Sequence, residues 1–289
     1  MELQNCSMVL EGGAARGLFT AGVLDYLMEK DFYTKYVVGV SAGACNAVDY
    51  VSKQIGRTRD CFIPHTPEEK YLRIENVFHR KPIYDMDLVF DKYPNEIHPF
   101  DFETYFASNM ECEMVVTNCE TGRAEYMEAH EDKQQFMKIC RASSSMPLFT
   151  DLVEIEGSVY MDGGIADSVP LRHAIEKGYR KHIVVLTKEK GYRKKNSRLL
   201  NLAAYQKYQK YPEFVKAVIK RPYRYNKLMD VIDRLEAEGK IFVLRPQQKP
   251  VSRLETDESK LLAFYQHGYE EMERRYEALL QYLGLAGEK

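Results

Sequence analysis

The chain has 289 residues, of which 45% are hydrophobic and 29% charged. This suits one large domain, or one domain with an appendage, and excludes disordered and fibrous classes. The formal net charge is only -2, yet residues 188–227 carry thirteen Lys or Arg against two Glu, so the rest of the chain carries about -13. This uneven distribution of charge needs an explanation.

The cysteines and the chain start bear on compartment and metal binding. The six cysteines lie singly, with no C-x-x-C pair and no histidine at zinc-site spacing, which is typical of reduced thiols in a cytosolic protein. The first apolar stretch is too short for a signal peptide, and no segment approaches the roughly 18 apolar residues of a membrane span. We therefore expect a cytoplasmic protein, peripheral to a membrane at most, with no metal or organic cofactor.

The first 56 residues contain two strand–loop–helix units. A short buried strand is predicted over 6–10, followed by the glycine loop "EGGAARG" (11–17) and a helix. A second strand over 36–40 leads into a helix that is predicted to close at Gly56. This order predicts a three-layer α/β/α fold with a mostly parallel central sheet.

The middle of the chain changes character. Five prolines interrupt an aromatic stretch over 57–108, which predicts loops and short helices; ordinary connecting structure is favoured over a cover for a pocket. Further elements are predicted in this order: a strand pair over 111–129 turning at Thr121 and Gly122, a helix over 132–146 stopped by Pro147, a hairpin around Gly157, a helix over 168–178 with Ser168 as N-cap and Gly178 as terminator, and a buried strand over 181–187 that ends the core sheet.

The last hundred residues are predicted to be mainly helical. Helices are expected over 198–210, 212–220 and 223–238, then a strand over 240–246 and a long helix over 257–283. In the long helix, apolar side chains recur at alternating steps of four and three: Tyr265, Tyr269, Met272, Tyr276, Leu279 and Leu283. We interpret this stripe as packing against the domain, with a partner-binding seam as the alternative.

Residues 39–43 form the pattern G-x-S-x-G around Ser41, between a predicted strand and a predicted helix. A nucleophile elbow requires that context, because the serine sits in a tight turn at the carboxyl edge of the sheet. Gly39 and Gly43 fit the turn, since side chains there would clash with neighbouring backbone. The alternative is a serine that only caps the following helix.

The glycine loop does not match a nucleotide-binding motif. Ala14 stands at the middle glycine of G-x-G-x-x-G, and Gly17 is not followed by Lys-Ser/Thr. Its small residues leave backbone N–H groups uncovered, so Gly13 and Ala14 could donate to the oxyanion that attack by Ser41 creates. Arg16 is either a brace for the loop, a contact for an anionic head group, or a surface side chain, the last being favoured.

A serine nucleophile needs a base, and no histidine is well placed for that role: His173 and His267 fall in predicted helices and His182 begins a strand. Asp162 ends a strand and precedes two glycines, so it is either a turn former or the base. Its ordinary pKa of about 3.9 suits a base poorly unless the carboxylate is partly desolvated and in direct contact with Ser41.

Three motifs in this order, "EGGAARG", "GVSAG" and "DGG", resemble the patatin-like phospholipase family, with its glycine-rich oxyanion loop, G-x-S-x-G elbow and Asp-Gly-Gly/Ala motif. The stretch "RASSSMP" (141–147) is similar to that family's helix end before a proline. The resemblance covers about residues 5–190 and implies a patatin-like catalytic domain over 1–190. Residues 191–289 resemble an extension, packed on that domain, of a bacterial subset of the family.

The resemblance implies a Ser41–Asp162 dyad without histidine. It assigns the oxyanion loop to Gly12, Gly13 and Ala14, with Arg16 at the family's basic position. Two positions depart from the family pattern: Glu11 stands where Asp is usual, and Ala14 where a third glycine is usual. The Ala14 methyl group would lie near the acyl site.

The basic block over 188–227 includes six tyrosines and has three interpretations. A solvated helix face is favoured, followed by contact with an anionic membrane, and nucleic-acid binding has no supporting motif. For the chain as a whole we expect a lipid acyl hydrolase of the phospholipase A or lysophospholipase type. The alternatives are a soluble carboxylesterase or thioesterase with the same dyad, and a catalytically idle membrane-docking module.

Overall fold

A computed structural model of the chain describes residues 2–73 and 82–285. The strands are β1 (Gln4–Leu10), β2 (Thr34–Val40), β3 (Glu111–Asn118), β4 (Ala124–Met127), β5 (Val153–Ile155), β6 (Ser158–Asp162), β7 (His182–Val185) and β8 (Phe242–Leu244). The α-helices are α1 (Gly17–Glu29), α2 (Ala42–Val51), α3 (Arg57–Phe62), α4 (Phe102–Phe106), α5 (Lys133–Ser144), α6 (Leu171–Glu176), α7 (Arg198–Lys207), α8 (Pro212–Ala237) and α9 (Glu258–Leu283). Short 3₁₀ turns span Ala14–Arg16, Pro67–Glu69 and Gly163–Ile165, and a π-helix spans Leu88–Ile97.

The eight strands of the described residues belong to one sheet, in the order β5-β6-β3-β2-β1-β7-β8, with β4 paired to β3. β3, β2, β1, β7 and β8 run parallel to one another. β4 and β6 each pair antiparallel with β3, and β5 pairs antiparallel with β6. The carboxyl ends of β1, β2 and β7 therefore meet at one edge, where Leu10 pairs with both Gly39 and Val185.

Alternate residues of the strands enter two separate cores, one on each face of the sheet. Met8 and Leu10 join the larger core with α1, α2, α5 and α9, whereas Val9 joins the smaller core with α6 and α8. The strands are apolar on both faces because helices cover both, as is usual for parallel sheets. The predicted three-layer α/β/α fold is thus confirmed.

The sheet extends further along the chain than the sequence suggested. The prediction that the core sheet ends near residue 187 is wrong, because β8 pairs parallel with β7 over Ile183–Val185. A three-residue strand separated from its partner by helices has no local signal of sheet membership. The division at residue 190 stays a prediction, and it places one strand of the common sheet in the second unit.

Three local predictions also need correction. α2 ends at Val51 because Lys53 turns left-handed (φ 59), and Gly56 is instead the N-cap of α3. Ser168 does not cap α6, whose N-cap is Pro170. The Ser168 Oγ instead donates to Gly164 O at 2.7 Å. The two helices expected around Pro222 are one, α8.

α9 packs along α1 as the apolar stripe predicted. The two helices approach so closely that a Cβ on Gly22 would lie 2.1 Å from Tyr265 O, and a Cβ on Gly268 would lie 2.0 Å from Phe19 O. Every residue of α1 from Gly17 to Met28 is buried. The helix that follows the glycine loop is therefore enclosed by the sheet on one side and by the C-terminal helix on the other. Within the described ranges, no helix has the length and apolarity to cross a membrane.

Candidate active site

Ser41 lies between β2 and α2 in a strained backbone conformation. Its φ and ψ are 56° and -124°, which a non-glycine residue adopts only where the surroundings enforce it. Although Ser41 occupies the N-cap position of α2, its side chain makes no capping hydrogen bond. The alternative of a serine that only caps the helix thus lacks the hydrogen bond that would define it, and the hydroxyl is left available.

The two glycines of the elbow stand where the backbone of the turn meets other backbone. A Cβ on Gly39 would lie 2.2 Å from Gly43 O, and a Cβ on Gly43 would lie 2.5 Å from Leu10 O. Real Cβ atoms essentially never approach so closely, so neither position admits a side chain in this backbone. The glycines let β1, β2 and α2 come together around Ser41.

The "RASSSMP" stretch supports both Ser41 and Asp162. Ser143 Oγ accepts a hydrogen bond from Ser41 N at 3.0 Å and donates to Val115 O at 2.7 Å. Asp162 N donates to Ser145 O at 2.8 Å. Neither role was visible in the sequence, because it depends on how the end of α5 meets the ends of β3 and β6.

The glycine loop presents free backbone donors beside Ser41. Among the described residues, the N–H groups of Gly13, Ala14 and Ala42 have no hydrogen-bond acceptor. Ala14 adopts a left-handed φ of 51°, a conformation that favours glycine. Uncovered N–H groups at a helix start and a loop are the arrangement that stabilises a developing oxyanion.

Glu11 and Arg16 fix the loop at its two ends. The buried Glu11 carboxylate accepts from Thr187 N at 2.7 Å and from Tyr225 OH at 2.8 Å, so its side chain links β1 to the end of β7 and to α8. Arg16 is half-buried and donates from Nε to Val251 O at 2.7 Å. Arg16 therefore braces the loop against the C-terminal segment, and the favoured expectation of a surface side chain is wrong.

Asp162 ends β6 and is buried, at 4% exposure. Its Oδ1 accepts from Gly164 N at 2.8 Å, which is the turn-forming role, while Oδ2 has no hydrogen bond with any described residue. Asp162 and Ser41 line one cavity together with Gly12, Gly13 and Ala14. One carboxylate oxygen thus holds the turn, and the other remains available for proton transfer.

Histidines do not line this cavity in the described part of the chain. His173 Nε2 instead meets buried Glu113 at 2.6 Å and stacks on Tyr126, and His182 Nδ1 pairs with Ser7 Oγ at 2.7 Å. His79 lies outside the described residues. His173 and His182 thus have structural partners away from Ser41.

A second cavity, mainly apolar, opens from the other side of Ser41. Ser41, Ala14 and Met146 line both cavities, and the apolar one continues past Phe62 and Phe90 into a space of about 600 Å³, its mouth included. Much of this lining comes from residues 57–100, so the segment does border a pocket, against the favoured expectation of plain connecting structure. Residues 74–81 of that segment lie outside the described residues.

Three cysteines line the apolar cavity: Cys45, Cys61 and Cys140. Burial raises the pKa of the Cys45 thiol to about 11 and that of Cys61 to about 12, so both are neutral near pH 7. All six cysteines of the chain are free thiols. A neutral thiol behaves as a small apolar side chain, which keeps this cavity suited to hydrocarbon.

Two protein-family models match parts of this chain. A family model described as patatin-like phospholipase matches residues 8–175, and one described as a domain of unknown function (DUF6363) matches residues 211–284. The first match covers more than half of the chain and includes the glycine loop, the elbow and Asp162. The chain belongs to the patatin-like phospholipase family, which supports lipid acyl hydrolysis at the level of the family.

Two individual proteins are similar to this chain. An uncharacterized Escherichia coli protein, YjjU, is 30% identical over 187 residues; the match covers 63% of this chain and about half, 51%, of YjjU. The crystal structure of VipD from Legionella pneumophila aligns with 98% of this chain and 67% of its own, at 13% identity and a TM-score of 0.46.

Proposed function

We propose that the protein is a serine lipid acyl hydrolase that uses Ser41 as nucleophile and Asp162 as general base. The observation that carries this proposal is the position of Ser41, a strained serine with a free hydroxyl that lines both the cavity of Asp162 and the apolar cavity. A lipid ester needs this combination, because its carbonyl lies between a hydrocarbon chain and a polar group.

In the first step, Ser41 Oγ attacks the ester carbonyl carbon while the Asp162 carboxylate takes the hydroxyl proton. The carbonyl oxygen becomes an oxyanion, which the N–H groups of Gly13, Ala14 and Ala42 stabilise. Collapse expels the alcohol, which leaves with the proton from Asp162, and an acyl-Ser41 ester remains. Water then attacks this ester with the same base, releasing the fatty acid and restoring Ser41.

Hydrolysis by the two dyad variants tests this assignment. Ser41→Ala should lower kcat/KM for p-nitrophenyl acyl esters by more than about 1,000-fold, because the nucleophile is lost. Asp162→Asn should lower it by about 100- to 10,000-fold, because the base is lost. Exposed Ser259→Ala and Asp151→Asn are matched controls and should retain wild-type rates.

Fluorophosphonate labelling and lipid substrates complete the test. Wild type should be labelled and Ser41→Ala should not. Hydrolysis of a micellar phospholipid faster than soluble short-chain esters supports a lipase over a soluble esterase or thioesterase. Full activity in folded Ser41→Ala, or a wild type that neither cleaves any ester nor reacts with the probe, contradicts the proposal.

We also propose that the enzyme reaches its substrate at an anionic membrane surface through α7. Large apolar side chains stand exposed on this helix, with Leu199 at 77%, Leu202 at 55% and Tyr205 at 60% exposure. Exposed Lys195, Arg198 and Lys207 lie beside them in sequence. Apolar side chains among cations suit a surface of anionic lipid.

A further inference from the structure

Four cationic side chains line the cavity that contains Ser41 and Asp162: Lys188, Lys194, Arg221 and Arg253. Within the described part of the chain, the acidic side chains of that lining are Glu11 and Asp162. With every group ionised, the cations exceed the carboxylates by two charges. Three of the four cations belong to the basic block over 188–227, so part of this block faces the site and not solvent. The favoured expectation of a solvated helix face is wrong for these three.

The four cations lack ionic partners although they are at least partly shielded from solvent. None of them has a carboxylate oxygen within 4.0 Å in the described part of the chain, whereas Arg193 pairs with Asp230 at 2.6 Å. Arg245, which lies outside the cavity and is buried at 5% exposure, pairs with Asp233 at 3.0 Å. Other unpaired cations of the basic block, such as Lys195, Lys207 and Lys220, are exposed to solvent, so the cavity differs in holding shielded cations without carboxylate partners.

Leaving these cations unpaired has a cost in free energy. Lys188 is only 4% exposed, and Arg221 Nε is shielded from solvent without a hydrogen-bond partner. Burial, with Arg221 and Arg253 nearby, holds the pKa of Lys194 well below its usual range. Buried charges are normally paired or bind a ligand, so a cluster of this kind indicates an anion site.

The position of the cationic cluster relative to Ser41 indicates which part of the substrate carries the anionic group. Ser41, Ala14 and Met146 separate the cationic cavity from the apolar cavity. A substrate with its ester at Ser41 and its acyl chain in the apolar cavity therefore directs its alcohol part towards the cations. The anion is then a group on the alcohol side of the same ester.

We infer that Lys188, Lys194, Arg221 and Arg253 form a phosphate subsite, and that the preferred substrates are acyl esters whose alcohol carries a phosphomonoester, such as acylglycerol phosphates. This inference rests on the proposed function. A phosphomonoester has up to two negative charges and three acceptor oxygens, which match the excess of two cations and the unused donors of Arg221 and Arg253. A choline head group places a cation against this cluster and is disfavoured.

Kinetics with a matched substrate series test the subsite. The substrates are 1-acylglycerol 3-phosphate, the corresponding phosphocholine and the phosphate-free 1-acylglycerol, all with one short acyl chain so that they remain soluble. Wild type should prefer the phosphomonoester over the acylglycerol by at least about tenfold in kcat/KM. Arg221→Gln and Arg253→Gln should remove most of this preference, because they lower kcat/KM for the phosphomonoester far more than for the acylglycerol, and exposed Lys249→Gln should leave the preference unchanged.

A binding measurement separates the subsite from catalysis. Calorimetric titration of glycerol 3-phosphate into Ser41→Ala should show binding that Arg221→Gln in the same background weakens at least about tenfold. Because it needs no turnover, this result holds even if no ester is cleaved, which would contradict the proposed function alone. Inorganic phosphate is titrated in parallel.

Three outcomes would overturn the inference. The first is an equal loss of hydrolysis for all three substrates in Arg221→Gln, which would make the arginine a transition-state stabiliser. The second is equal kcat/KM for phosphate-bearing and phosphate-free substrates in wild type. The third is inorganic phosphate binding as tightly as glycerol 3-phosphate without any substrate preference, which would indicate a site for free phosphate.

Discussion

Ala14 has an alanine side chain in a backbone conformation that favours glycine. Its φ of 51° places it in the left-handed region, where a Cβ atom costs roughly 1 kcal/mol. The neighbouring Ala15 is buried at 3% exposure and has no such strain. The two alanines therefore provide an internal comparison, since the same substitution should act in opposite directions at adjacent positions.

Ala14→Gly should leave the free energy of unfolding unchanged or raise it by up to about 1 kcal/mol, because relief of strain offsets the added entropy of the unfolded chain. Ala15→Gly should lower it by about 1 kcal/mol, because it removes a buried methyl group and frees the backbone. Urea unfolding of both variants measures the difference. Equal destabilisation by the two substitutions would show that the loop is not strained at Ala14.

The residues of the site differ in whether a short sequence motif indicates them. Ser41 and the glycine loop directly follow the parallel strands β2 and β1, so their place at the sheet edge could be predicted from short motifs. Asp162 ends β6, which runs antiparallel to β3, so its place near Ser41 depends on the length and register of β6. Arg221 and Arg253 reach the same cavity from α8 and from the segment before α9, and only long-range packing brings them there. The signal that could have found Arg221 was the excess of basic over acidic residues in 188–227, whereas Arg253 lies outside that block and had no such signal.

At the scale of elements, the crossing of α1 and α9 depends on two glycines that face each other's backbone. A methyl group at Gly268 would lie 2.0 Å from Phe19 O, and backbone cannot yield as a flexible side chain can. The crossing matters for the site because α1 begins at Gly17, where the glycine loop ends. The C-terminal helix thus holds the loop in place through α1.

Gly268→Ala should lower the free energy of unfolding by about 1–3 kcal/mol or more, although alanine favours helix, because the helices must separate. Ser259→Ala, exposed on the same helix, should be neutral within about 0.5 kcal/mol. Thermal or urea unfolding measures both. A neutral or stabilising Gly268→Ala would mean that the two helices are not in this close contact.

Pro222 shows why element boundaries could not all be predicted. Proline usually interrupts a helix, since it lacks an N–H donor and clashes with the preceding turn. α8 nevertheless continues, because Phe214 and Ala217 pack in one core before the proline and Tyr225 and Met229 pack in another after it. Burial on both sides outweighs the local cost, and this burial is a tertiary property.

At the scale of the whole molecule, the basic residues of the block over 188–227 lie in two places. Lys188, Lys194 and Arg221 turn into the cavity, whereas the basic residues in and around α7 remain outside among exposed leucines. An external surface with cations and apolar side chains is attracted to anionic lipid, and salt screens the attraction. The rest of the chain is acidic, so attachment should be confined to this surface.

Sedimentation with vesicles tests this surface. The protein should bind vesicles with anionic lipid, and binding should fall as salt is raised. The double variant Leu199→Ser, Leu202→Ser should lower the partition coefficient by about tenfold or more, because apolar contact is lost. The control variant is Leu262→Ser, because Leu262 is 49% exposed but lies on α9, away from α7 in the chain. This variant should bind vesicles as wild type does. Equal loss in this control, or no binding by wild type, would contradict the assignment.

The late position of β8 in the chain has a consequence for folding during synthesis. β1 forms the centre of the sheet early, but β7 keeps an open edge until Phe242–Leu244 has been made. An unpaired, apolar strand edge can pair with another chain. The nascent protein therefore passes through a stage in which most of its sheet exists without its final strand, and it depends on rapid completion, or on chaperones, to avoid association with its neighbours.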